Sequence, residues 1–598
     1  MRRVGFAFGL VGLALAGTLA SAQGSDLVVH EWGTFLSMQG ADGVTLDGMY
    51  HEEHALPAFV HARSTDQLRI PSVLTKGETP VIYFYTPRAQ RVKVNVRFPS
   101  GIWTQWYPEA SFVGPQYVAA GSPENPRNGH LSWVVDLLPT AEKAPALPSA
   151  GKDALWNHSR EVDAAYLRTR SLEKKDAVEH ERFLFYRGLG QAELPLRMEH
   201  AAGGTLTWDA NTPYPAADLF VLRVENGRGA FRYLPSLGPG ASRSGVIPSM
   251  HDARPVEQFT ASVAKALAER LTAAGLYAKE ARAMANTWRS SYFHTEGIRV
   301  LYLLPRQWTD AYIPLELDPK PKELVRVMVG RLELLTPERE ARADQAVRDL
   351  ASSNSARRER AFAYLQDQGR YVEPVVRRVL RSSSDEQVRT LCRRLLHTGW
   401  VTSLRAAVHH AATGKRIDPT AGGKHARTYL RAQLASVLKE IGLDEEARQE
   451  AEPALQELRR MPAPAFESAA ARQYLRAKAR AIEGAGDDRA TADAYETYVR
   501  YAAQVKTCGG CHDQEGPRTM AWFRDWWAGD KLAEYFARAG RTEAAIRERE
   551  AALQRRPNDT ASQMILAYLY ARDGDRRRAD QMWARIAPES PTRRVAER

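Results

Sequence analysis

Cys508, Cys511 and His512 form the most specific chemical grouping in this sequence. In Cys508-Gly509-Gly510-Cys511-His512 two thiols stand three positions apart, with an imidazole directly after the second. On a helix that spacing turns both sulfurs to one face. Three chemistries suit such a set: thiol–disulfide exchange between Cys508 and Cys511, a zinc site needing a fourth ligand, and paired thioether bonds to the two vinyl groups of one porphyrin, with His512 turned to its iron. With only three cysteines and 15 histidines in the chain, composition alone yields the pattern on the order of 0.0004 times. No second cysteine pair exists to close a zinc site. No strand–helix–strand pattern surrounds the motif, as a thioredoxin-like site would require.

From about Lys506 to Arg518 the sequence resembles the haem-attachment site of c-type cytochromes. The resemblance implies one covalent haem c, carried by Cys508 and Cys511, with His512 as the proximal iron ligand. For the opposite face of the iron Met520 is the nearest soft donor, and His397, His409, His410 and His425 are alternatives. A five-coordinate iron would instead favour ligand binding or peroxide chemistry. Trp522, Phe523, Trp526 and Trp527 follow at once, either to pack on a porphyrin or to build the core of the next helix pair.

A second cluster lies near the start. His30-Glu31-Trp32-Gly33-Thr34-Phe35 is followed by His51-Glu52-Glu53-His54 and by His61. Such a density of histidine and glutamate suits a divalent metal, zinc or iron, with His30, His51 and His54 as ligands; exposed loop histidines explain it equally well. The histidines at 51 and 54 are three apart rather than four, so this is not the helical zinc-protease pattern. The His30–Phe35 string resembles a module of exported bacterial proteins of no known activity, which implies a recurring β-rich N-terminal unit. Cys392 falls on an apolar helix face with Val388, Leu391 and Leu395 and reads as an inert core thiol. No phosphate-binding glycine loop and no Gly-x-Ser-x-Gly turn is present.

These residues need elements to position them. Residues 1–22 read as a signal peptide: Arg2 and Arg3, an apolar run from Val4 to Ala16, and Ala20-Ser21-Ala22 before a mature start at Gln23. The expected address is periplasmic or secreted, with no integral membrane segment after cleavage. Haem attachment of this type takes place after export, so motif and leader agree. Residues 23–336 read as a β-rich, sandwich-like domain, from runs such as Val92–Phe98, Leu131–Val135 and Leu219–Val224, with a helical segment at about 255–288. After Thr336-Pro337-Glu338 the composition turns to Ala, Arg, Glu and Leu. Residues 337–415 resemble HEAT-type helix pairs, with a loose offset between Leu350 and Val379, Phe362 and Leu391, and Val375 and Leu404. Residues 428–598 resemble tetratricopeptide repeats: Gly540 and Gly574, and Ala545 and Ala579, recur at that family's period, and Gly442 and Gly486 stand in similar contexts. The spacing before Gly540 is too long by about the stretch that holds 508–512. The expected architecture is thus multidomain, a β-rich domain followed by an all-α solenoid with the haem motif inserted between repeats.

The chain carries a formal net charge of +12. Its arginines alternate with glutamates, as in Arg547-Glu548-Arg549-Glu550, without the basic block interleaved with aromatics that nucleic acid calls for. Solvated helix faces, or an acidic partner such as another redox protein, account for the excess. The leading functional expectation is haem binding with electron transfer to or from a docked partner. The alternatives are an envelope scaffold with a structural or sensory haem, and a metal-dependent enzyme in the β domain.

Overall fold

His30–Phe35 lies in the strand Val28–Gln39, and nearly every residue of that strand is buried. A strand buried on both faces must sit at the centre of a sheet and be covered twice. The computed structural model describes residues 26–50, 52–63, 65–115, 125–139, 144–170, 178–412, 425–465, 469–504 and 526–586, and it shows that arrangement. Val28–Gln39 pairs in parallel with Glu323–Leu334 along its whole length. Its other edge pairs antiparallel with Thr75–Gly77 and Val81–Tyr85. These strands belong to an 11-stranded mixed sheet.

The alternation of side chains divides the motif between two cores. Phe35 and Val29 point toward a six-stranded sheet that includes Gln90–Phe98 and Gly129–Leu138, packing with Trp103, Trp133 and Tyr186. Trp32 points the other way, toward a core shared with the helices Val256–Ala273 and Ala278–Trp288. The expected single helical stretch at 255–288 is therefore two helices, broken where Gly275 takes φ +110°. Gly33 sits where the chain passes very close to Pro80; a Cβ there would lie 2.7 Å from the proline Cα. Each large apolar side chain buried in these cores contributes roughly 1.5–3 kcal/mol.

The last strand ends at Leu334, and Thr336 caps the helix Pro337–Asp349 by accepting the Arg339 N–H. From there the described residues are helical. The offset between Phe362/Val375 and Leu391/Leu404 does not mark repeated pairs. Phe362 and Val375 lie on separate helices, whereas Leu391 and Leu404 share the 27-residue helix Glu386–Ala412. The later repeat has a structural counterpart. Gly442, Gly486, Gly540 and Gly574 all take positive φ, between +63° and +90°. Each stands between two consecutive helices, the first pair being Ala426–Glu440 and Asp444–Arg460. A residue without a Cβ takes that left-handed cap at least cost. No helix among the described residues is long and apolar enough to cross a membrane.

Candidate functional site

Cys508, Cys511, His512 and Met520 lie outside the described residues, as do Trp522 and Phe523. The helices on either side of them are described. Asp488–Gln504 and Trp526–Arg538 pack on one another, and Tyr495, Tyr498, Trp527, Leu532 and Tyr535 share one core.

Behind Trp527 lies a buried polar lock. Glu440 accepts from both Arg69 guanidinium nitrogens at 3.3 and 2.8 Å and from the Trp527 indole at 3.4 Å, and it meets the Lys531 ammonium at 3.0 Å. Glu483 accepts from Lys531 at 2.5 Å, Ser436 at 2.7 Å, Tyr495 at 2.6 Å and Tyr535 at 3.0 Å. Burial would push the Glu440 carboxyl up, but Arg69 and Lys531 hold it well below the ordinary carboxylate range. Arg69 comes from the β-rich region and lies over the rings of Trp400, at 5.0 Å, and Trp527, at 5.6 Å. One arginine thus fastens the β-rich region to the helix that follows the cysteine motif.

His397 belongs to this lock. It is buried, stacked on Trp400 at 4.1 Å, and its Nδ1 lies 3.8 Å from Glu440. Burial, with Arg69 adding to it, holds the imidazole well below its usual pKa, so it is neutral. His409 is exposed, His425 lies near Tyr429, and the His410 side chain is outside the described residues. Cys392 is fully buried in a small core with Val388 and Leu365, and burial raises its thiol to about 11.

His30 is fully buried, with Nδ1 2.8 Å from Glu280, which also accepts from Tyr85 and from the backbone N–H of Tyr277. Glu31 faces Arg326 across the parallel strand pair and is bonded to it and to the Tyr186 hydroxyl. His61 lies 3.0 Å from Glu179. His51 is outside the described residues, and His54 is exposed near Glu78, Arg187 and Arg331. Among the described residues no group of three or more His, Cys, Asp or Glu side chains is placed to hold a metal ion.

Glu52 and Glu53 enter a dense ionic network that the sequence did not announce. Glu52 meets Arg187 and, at 3.1 Å, Lys76. Glu53 accepts from Arg331 at 3.0 and 3.2 Å and meets Arg370. Glu78 accepts from the Tyr292 hydroxyl, with Arg331 at 3.5 Å. Glu333 is shared by Arg331, Arg299 and, at 3.1 Å, the Tyr371 hydroxyl. Burial opposes ionisation of Glu78 and Glu333, yet the neighbouring cations hold both below the usual carboxylate range. Carboxylates so fully paired are built to stay charged rather than to shuttle protons. Because Arg370 and Tyr371 come from the helical region, this network is a second lock between the two regions.

Beside it opens a cavity of about 390 Å³, walled by Trp32, Trp156, Phe183, Phe185, Trp288 and Tyr292, with 52–57 along one side. No family model matches the sequence, and no match is found among the curated proteins.

Proposed function

We propose that the chain is an exported monohaem c-type cytochrome-like protein that passes single electrons to or from a docked partner protein. The observation that carries this reading is the Cys508-Gly509-Gly510-Cys511-His512 spacing in a chain with a leader-like N-terminus. The donor set fits the group: two thiols for the two vinyl carbons and an imidazole for the iron. When bound, haem supplies a one-electron couple. The rest of the chain would hold that group against a rigid support. The adjoining helices pack through Tyr495, Trp527 and Tyr535, and the Arg69–Glu440–Lys531 lock ties them to the β-rich region. The stacked helix hairpins offer the broad surface on which a partner would dock.

The test is the visible spectrum and potential of the exported protein. A reversible couple with a low-spin, six-coordinate spectrum is expected, and it is lost in Cys508→Ala/Cys511→Ala. A high-spin iron that turns over peroxide would replace electron transfer with peroxide chemistry. A protein without a haem spectrum would end the proposal.

A further inference from the structure

The outer face of the six-stranded sheet carries an arrangement that solvation alone does not ask for. Val92, Val94 and Val96 of Gln90–Phe98 point into the core, so Arg91, Lys93, Asn95 and Arg97 point out. The register extends that face across the neighbouring strands. Lys93 stands between Asp318 of Leu315–Asp318 and Val134 of Gly129–Leu138, and Val178 of Val178–Glu181 stands across from Arg170 of Tyr166–Arg170. Asp136 faces Arg168, so the same register carried two residues further sets Arg170 beside Val134. One row of the sheet therefore reads Val178, Arg170, Val134, Lys93, Asp318. Val134 is 44% exposed and Val178 43%, and Phe112, 41% exposed, faces Ser132 one step along the same strand. These are three of the seven large apolar side chains left exposed among the described residues. Scattered singly they would need no explanation; three on one sheet face do.

The charges on this face do not balance. Arg91 and Arg168 share Asp136, at 2.7 and 3.0 Å, and Arg97 meets Glu316 at 3.7 Å. Lys93 and Arg170 are exposed and have no ion pair among the described residues. Asp318 is the one remaining carboxylate, so five cations meet three acids. Arg182 adds a further cation at the margin, over the Tyr166 ring at 4.4 Å. His130 and His180 add little charge at neutral pH: burial, with Arg97 beside the first and Arg168 beside the second, holds both imidazoles below their ordinary pKa. The excess favours an acidic occupant. A uniform polyanion would meet Asp136, Glu316 and Asp318 and would leave Val134, Val178 and Phe112 uncovered. An acidic protein supplies carboxylates and apolar side chains together. With about 4.8 Å between strands and about 3.3 Å per residue, the strands offer roughly 550 Å² of flat face. That is the size of a transient docking contact rather than a permanent one.

We propose that this sheet face docks an acidic protein, which sets an apolar side chain on Val134 and carboxylates on Lys93 and Arg170. The surface is separate from the cysteine motif and from the helix hairpins, and its test does not depend on haem. Val134 is replaced by the photo-cross-linker p-benzoylphenylalanine in the full chain, made in its own cell and irradiated there, and the adduct is identified by mass. The captured protein is then purified, and its binding to the unmodified chain is measured by calorimetry at low and high salt. The expected adduct is with a protein of net negative charge. Its binding weakens with salt, and by about tenfold or more in Lys93→Glu/Arg170→Glu and in Val134→Asp. Because Lys93→Glu would face Asp318, Lys93→Gln/Arg170→Gln serves as the milder pair and weakens binding in the same direction. Lys265→Glu/Arg282→Glu reverses two exposed charges on the helices Val256–Ala273 and Ala278–Trp288, and leaves binding unchanged. Four outcomes would overturn the proposal: no adduct; an adduct with a second copy of this chain or with a neutral or basic protein; equal loss in Lys265→Glu/Arg282→Glu; and binding that tolerates Val134→Asp, as that of a polyanion would.

Discussion

Replacing Arg69 with Met tests whether the two regions are held together by the lock behind Trp527. The side chain is 14% exposed and its partner Glu440 is 5% exposed, so the pair is largely withdrawn from water. Stranding a buried charge costs about 3–5 kcal/mol, but here Lys531 remains 3.0 Å from Glu440 and keeps it paired. The loss is then that of charge-assisted hydrogen bonds, about 2–3 kcal/mol, with the contacts over Trp400 and Trp527 included. Glu440→Gln removes the same interaction from the other side. In a double-mutant cycle the two single losses should exceed the loss in the double variant by about 1–2 kcal/mol. A chain of several regions does not unfold in one step, so the readout is amide hydrogen exchange resolved by element. Opening of Trp526–Arg538 and Glu386–Ala412 should become easier while Val28–Gln39 keeps its protection. A coupling below about 0.5 kcal/mol, or equal loss of protection in the central strand, would refute the reasoning.

Three other outcomes follow from single observations. Gly33→Ala should cost about 1–3 kcal/mol, because its Cβ would meet the Pro80 backbone at 2.7 Å inside the sheet; Gly540→Ala, with open space around it but φ +63°, should cost about 1–2 kcal/mol, both read by chemical denaturation. Acid should loosen the lock in two stages: below about 6.5 the unfolded chain protonates His397 while the folded chain resists, and below about 4.5 the unfolded chain protonates Glu440 before the folded chain does. Stability therefore falls with falling pH on both counts, and exchange protection of Trp526–Arg538 measured across that range checks it. If the proposed haem attachment holds, the protein should show no thiol reactive to a disulfide reagent, since Cys392 is buried with its pKa raised to about 11 and Cys508 and Cys511 would be spent on haem; a rapid reaction of two thiols per chain would contradict this.

Much of the architecture was legible because it is written in local periodicity. Val92–Phe98 and Leu131–Val135 alternate or branch as strands do and appear within Gln90–Phe98 and Gly129–Leu138. The glycines at 442, 486, 540 and 574 marked helix hairpins because the left-handed cap selects them. The offset through Leu391 and Leu404 misled because any regular helix repeats its apolar face, and one long helix mimics two short ones. The His30–Phe35 string drew attention for its titratable groups, and it lies in a central strand whose His30 and Glu31 are tied to Glu280 and Arg326. Those partners lie 250 and 295 residues away, beyond any local pattern.

The mass of the intact mature protein, measured under denaturing conditions after export, tests the central claim most directly. The account predicts a chain beginning at Gln23 and heavier by one haem, an increment that survives denaturation and disappears in Cys508→Ala/Cys511→Ala. A mature chain with the bare polypeptide mass, or one that releases its haem on denaturation, would contradict it.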